Sequence, residues 1–211
     1  EDRCVIRIYM ADKENGDLVL AQRPLALKGK VIVPPLQYDR RVLITTDLGE
    51  IRVLEVDPNI TPPVQEMAGI AASFTAPVVQ YPLVDRGLLW MAGKQFSRYK
   101  VQAVLGELTL DWVDNDGDVY VAPLQRSEDI VIHVRQQRGS TAVTVAGHPV
   151  NARKPSWQTS IGGTSSVSVD RQNNLVTAIS SQAGLFRFQQ SLGEDRYLEQ
   201  PAPDGLETAA A

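Results

Sequence analysis

Few side chains in this sequence have types suited to chemistry, and they are scattered. Histidine occurs twice, at His133 and His148, and cysteine once, at Cys4. Two imidazoles on neighbouring strands fall short of the roughly three protein ligands a metal site needs. No cysteine or carboxylate is spaced to complete the set. His133, within Ile130-Val-Ile-His-Val-Arg135, reads as an exposed or half-buried strand residue. Asp114-Asn-Asp-Gly-Asp118 has the composition of a calcium loop. EF-hand spacing, however, wants an acid where Trp112 stands and a bidentate glutamate where Pro123 stands, so the segment reads as a turn between strands. Gly162-Gly-Thr-Ser-Ser166 lacks the Gly-x-Ser-x-Gly order of a nucleophile elbow. Cys4 reads as a small buried thiol in a strand, since Glu1-Asp-Arg3 is not a lipobox. No catalytic, cofactor-binding or metal-binding residue is therefore assigned. One binding area is expected, a small basic rim of Arg135, Arg138, Arg153 and Lys154, either simply solvated or suited to an acidic peptide.

The elements that carry these residues follow from composition and spacing. The 211 residues hold 21 Lys and Arg against 25 Asp and Glu, a formal charge of -4, with 43% hydrophobic and 22% charged residues. Such a chain folds around a sizeable core. Its acidity, with no basic run, argues against nucleic acid or an anionic membrane as the main partner. No stretch of 18 or more apolar residues is present, so no membrane insertion by this segment is expected.

Short apolar runs separated by Gly, Asp, Asn and Pro recur along the chain, with almost no helical periodicity, which is the pattern of an all-β protein. The runs starting at Arg41, Gly87, Asp129 and Asn174 lie 46, 42 and 45 residues apart. Each is followed by a turn glycine, at Gly49, Gly93, Gly139 and Gly184, where a tight hairpin is expected to need positive φ. A second strand follows each glycine: Ile51 to Val56, Arg98 to Val104, Thr141 to Ala146 and Leu185 to Gln189. Ahead of each apolar run lies a further predicted strand: Val31 to Val33, Ser73 to Val79, Val119 to Ala122 and Ser165 to Val169. A fourth strand is marked by Trp112 and Trp157, 45 apart, with Met67 one period earlier. Four antiparallel strands at a period of about 40–50 residues make a propeller blade.

Ile8-Tyr-Met-Ala-Asp12 running into Gly16, together with Trp112 to Gly117 and Trp157 to Gly163, resembles the repeat of quinoprotein-like (PQQ-binding-like) β-propellers. The resemblance covers about Cys4 to Gln190, with Leu20 and Met67 standing where tryptophan is usual. Counting strands gives blades at about 23–68, 69–115, 116–161 and 162–200, preceded by a half blade at 4–22, and the small, polar residues of 201–211 read as a flexible tail; the resemblance implies a closed ring of more blades. About four to four and a half blades are then present, an arc of a larger ring.

Quinone-dependent dehydrogenases of this family carry an adjacent cysteine pair over the cofactor, which Cys4 alone cannot supply. No cofactor is expected, PQQ included. The resemblance points instead to a non-catalytic scaffold for other proteins, akin to the propeller lipoproteins that help insert outer-membrane proteins in bacterial envelopes. Periplasmic or otherwise exported localisation goes with that reading. The alternatives are a ligand-sensing ectodomain of a larger signalling protein and part of a dehydrogenase whose site lies in other blades.

Overall fold

Asp12 begins the first turn by accepting the Glu14 N–H on Oδ1 at 2.9 Å, and Gly16 completes it in the left-handed region at φ 74°. This turn closes a two-stranded ribbon. β1 (Arg3–Ile6) pairs with β4 (Leu25–Lys28), and β2 (Tyr9–Ala11) with β3 (Leu18–Leu20). The computed structural model describes residues 3–12, 14–102, 107–114, 117–162, 166–170, 172, 175–179, 185–189 and 198–199, with backbone alone at 102, 107, 166, 185–189 and 198–199.

Among the described residues every regular element is a strand. β5 (Leu36–Tyr38), β6 (Arg41–Thr45), β7 (Ile51–Val56) and β8 (Val64–Ile70) form one sheet in chain order. β9 (Tyr81–Asp85), β10 (Leu88–Ala92), β11 (Phe96–Gln102) and β12 (Glu107–Asp114) form the next. In the third, β13 (Val119–Tyr120) and β14 (Gln125–Ser127) both pair with β15 (Ile130–Gln136), followed by β16 (Ala142–Pro149) and β17 (Trp157–Gly162). β18 (Ser166–Asp170), β19 (Leu175–Ile179), β20 (Leu185–Gln189) and β21 (Leu198–Glu199) make the fourth. Four antiparallel sheets, each of strands consecutive in sequence, are the blades of a β-propeller. The tail at 201–211 and the turn glycine Gly184 lie outside the described residues.

The chain divides into two compact units, Glu1–Val113 and Asp114–Ala211. In the first, period-two alternation sends Ile44, Leu54 and Val64 toward the ribbon, where they meet Leu27, Cys4, Ile6 and Leu25. The opposite face of the same sheet sends Leu43, Ile51, Val53 and Ala68 against Leu89 and Met91. Cys4 is thus half-buried in an apolar layer. In the second unit, Ile130, Ile132, Val134, Val143, Val145 and Ile161 pack on Val176 and Ala178. Trp157 joins that cluster, and its indole lies across Gly147, where a Cβ would sit 2.2 Å from Nε1. Only a residue without a side chain fits beneath the ring.

The second and third strands of each blade lie where the periodicity puts them. Three of the first strands do not. Val31 to Val33 and Ser73 to Val79 are connections, and the strands are β5 and β9. Val119 to Ala122 shrinks to β13, with β14 added. Their true hairpins turn on two residues, Asp39-Arg40, Arg86-Gly87 and Glu128-Asp129, with the first of each at φ 53°, 44° and 48°. Positive φ there fits the primed turns that match strand twist. Gly49 and Gly139 have the expected positive φ of 79° each, but Gly93 does not. At Gly93 a Cβ would displace the Gln80 amide group, which packs against it.

Candidate functional site

The β6–β7 turn, Thr46-Asp-Leu-Gly-Glu50, is polar yet buried: Thr46 is 1%, Asp47 6% and Glu50 3% exposed. Buried polar groups need partners, and these three find them at the end of β4 and just beyond it. Thr46 Oγ1 donates to the Lys28 carbonyl at 2.8 Å, and the Lys28 N–H donates to Glu50 Oε2 at 2.5 Å. The Lys30 N–H donates to Asp47 Oδ1 at 2.7 Å. Gly29 between them is left-handed at φ 91°, and a Cβ there would strike Asp47 Oδ1. Glu50 Oε1 accepts Arg52 Nε at 2.7 Å and pairs with Nη2 at 2.6 Å, while Arg52 Nη1 pairs with Glu66. Partial burial works against the Arg52 charge. The hydrogen bonds and charges of Glu50 and Glu66 outweigh it and hold the guanidinium pKa above its ordinary value.

This clamp forms one wall of a cleft of about 700 Å³ that opens beside the ribbon. Arg3, Lys28 and Arg52 bring three cations to it and Glu50 one carboxylate, while Ala26, Ala71, Ala72 and Pro77 keep its walls small. Histidine, cysteine and serine are not among its lining residues. Such a surface, with cations and a carboxylate along one wall, can bind a charged ligand.

The four expected rim residues do not gather. Arg135 and Arg138 lie at the end of the third blade where Gln136 faces Val143, and Arg153 and Lys154 at the opposite end, beyond the Ile130–Pro149 pair. Strand pairing with a turn at each end separates them by the length of the sheet. Arg135 is also occupied, donating to Gln158 Oε1 at 2.9 Å and standing 3.4 Å from Asp118.

His133 is not exposed or half-buried but 2% exposed, and His148 only 1%. Their rings lie 6.3 Å apart, with the Tyr120 ring 5.4 Å from His133. Burial, and then the neighbouring His148, lowers the His133 pKa to about 3, so the ring is neutral at physiological pH. Burial first and the charges of Asp114 and Asp118 next push the Tyr120 hydroxyl up. Among the described residues no group of three or more His, Cys, Asp or Glu is arranged to hold a metal. The central residue of the calcium-like segment, Asp116, lies outside the described residues.

A second buried polar cluster sits in the first unit. Arg98, 9% exposed, lies 5.1 Å from the Trp90 ring and 5.6 Å from that of Trp112, within cation–π range of both. Its Nε donates to Asp111 Oδ2 at 2.6 Å. Burial would raise the Asp111 pKa, but the Arg98 hydrogen bond and charge, with help from Lys100, bring it below the ordinary value. Phe96 packs edge-on to Trp112 at 5.5 Å, so the cluster reads as structural.

No protein-family model matches the chain, and no curated protein does. Solved structures do. BamB from Moraxella catarrhalis aligns with 95% of this chain and 61% of its own length, at 12% identity and a TM-score of 0.60. The chain has a BamB-like propeller fold. A candidate 6-phosphogluconolactonase from Bacteroides uniformis aligns with 94% of this chain and 65% of its own, at 12% identity and a TM-score of 0.56. The chain thus spans less than two thirds of either protein.

The residues missed by sequence reasoning are those of the cleft. Their one visible signal is Thr45-Thr-Asp-Leu-Gly-Glu50, a polar run capping two apolar strands. Among the described residues no helix is long and apolar enough to cross a membrane.

Proposed function

We propose that this chain is a non-catalytic scaffold of the bacterial cell envelope, exported to the periplasm, that binds other proteins. The observation that carries this reading is the outer half of the ribbon. Tyr9, Met10, Leu18, Val19 and Leu20 are all exposed, at 50, 38, 71, 48 and 52%. Both strands there are apolar and neither face is covered, whereas the sheet of β5 to β8 buries both of its faces. A contiguous apolar patch of this kind marks an interaction surface. The partner it suits is an extended apolar segment of another protein, laid along the ribbon as an added strand. The BamB-like fold supports an envelope setting, and the net charge of -4 fits protein rather than nucleic acid as partner.

A photo-crosslinking residue at Leu18, in cells that export the protein, is expected to capture a small, reproducible set of envelope proteins. Leu20→Ser should weaken capture while leaving the unfolding midpoint within about 0.5 kcal/mol, as for other exposed sites. A folded protein with no specific crosslink at this position would overturn the proposal.

A further inference from the structure

We propose that the β1–β2 edge of the ribbon takes an antiparallel strand from another protein, with an acidic residue between two apolar ones at alternate positions and its carboxylate facing Arg7. The assignment rests on the reading of the ribbon as an interaction surface and names the partner that surface selects.

The first ground is backbone pairing. The Ala21 N–H donates to the Ile8 carbonyl at 2.9 Å, and the Asp12 N–H to the Asp17 carbonyl at 2.7 Å. At the other end the Lys28 N–H and carbonyl are directed to Glu50 and Thr46, which makes Cys4 and Ile6 the residues bonded across to β4. The even-numbered residues from Cys4 to Asp12 thus turn their polar groups inward. Val5, Arg7, Tyr9 and Ala11 aim theirs outward, and among the described residues no strand pairs with them there. All four are exposed. The β3–β4 edge offers no such run, because Pro24 has no N–H and Lys28 is already capped by the β6–β7 turn. An unpaired edge of this length is a template for an added strand.

The second ground is the side chains of that edge. Val5, Arg7, Tyr9 and Ala11 share one face, so a cation stands between apolar neighbours. Arg7, and Arg23 on the other strand, lie between the Ile6–Leu25 and Tyr9–Leu20 pairs, both exposed. Neither makes an ion pair among the described residues. Residues 3–11 and 18–28 contain no carboxylate, and the acids of the tip, Asp12, Glu14 and Asp17, lie beyond the Ala11–Leu18 pair. Glu50 and Glu66 of the adjoining sheet are both engaged by Arg52. A carboxylate opposite Arg7 therefore gains a cross-strand pair, while a cation there is repelled and an apolar side chain leaves Arg7 unmatched. A second copy fits poorly, since antiparallel pairing of Val5 with Tyr9 sets Arg7 against Arg7.

The test uses the whole chain and a fluorescein-labelled heptapeptide, TVTETFT, followed by anisotropy. Saturable binding is expected, and at least about fivefold weaker binding of TVTKTFT. Arg7→Glu should reverse that preference, with an unfolding midpoint matching that of the parent because the site is exposed. N-methylation of the Val, Glu and Phe amides, which face the edge, should abolish binding, and N-methylation of the two Thr amides between them should not. Four results would overturn the proposal: no saturable binding up to about 1 mM, equal binding of the two peptides, binding indifferent to methylation of Val, Glu and Phe, or a dimer of the chain in sedimentation that excludes the peptide. Crosslinks from Leu18 to envelope proteins that persist beside any of these leave the scaffold reading standing. Peptide binding without such crosslinks removes the scaffold reading alone.

Discussion

Two of the buried polar clusters, one in each compact unit, treat their charge in opposite ways. In the first unit Arg98 keeps its charge, within cation–π range of both Trp90 and Trp112 and matched by Asp111. In the second, His133 and His148 are buried, and His133 stays neutral. An arginine cannot give up its proton, so its burial demands a carboxylate. A histidine can be buried as a neutral ring, and the cost is deferred to acid pH. Both solutions are stable near neutrality and fail under different insults.

The largest expected effect comes from removing the match. Asp111→Ala leaves a guanidinium buried beside two indoles and should cost about 3 kcal/mol in urea unfolding. Replacing both partners, Arg98→Met with Asp111→Leu, should recover most of that loss. A cost below about 1 kcal/mol for the single change would show that the rings alone sustain the charge.

Acid separates the clusters next. The folded His133 pKa, about 3, lies below the ordinary 6.5. Below pH 6.5 the unfolded chain takes up a proton that the folded one refuses, so stability is level above that pH and falls between 6.5 and 3. The slope from this residue reaches about 1.4 kcal/mol per pH unit. His133→Leu should flatten the decline in that window. Asp111, whose pKa is lowered in the fold, contributes stability above the ordinary carboxylate value that is lost only as the pH drops further. Urea midpoints of the parent and of His133→Leu, measured from pH 7 down to about pH 2, will separate the histidine loss, which begins near 6.5, from the carboxylate loss, which begins near 3.8.

The smallest effect tests how much of the ion pair depends on its exposed member. Lys100 is 3.5 Å from Asp111 but 59% exposed. Lys100→Ala should cost less than about 0.5 kcal/mol by the same unfolding assay.

Apolar runs leading to a glycine were enough to place β6, β10 and β15, and the run after Gly49 to place β7, because strands packed on both faces are rich in apolar residues. The first strands were hidden for a physical reason. β5 has only three residues, one of them Gln37, and its turn is Asp39-Arg40 without a glycine. The apolar segments mistaken for strands fill other roles. Val31 packs into the core without pairing, and Phe74 covers Gly49, where a Cβ would lie 2.8 Å from its ring. The cleft was not legible because its clamp joins Glu50 to Lys28, 22 residues earlier, and no local pattern encodes that contact. The basic rim failed for the same reason in reverse. Its residues are near in sequence, but a strand and two turns carry them to opposite ends of a blade.

Every four-stranded sheet here is assembled from strands that follow one another along the chain. The loops that must close to form it are correspondingly short, and each costs little entropy. Folding within a blade can therefore proceed hairpin by hairpin. A chain delivered one end first, as in synthesis or in passage through a translocation pore, can finish each blade before the residues of the next arrive. The same locality makes a blade a unit of inheritance: copying about 45 residues adds a complete sheet, with its neighbours needing change only at the faces they share.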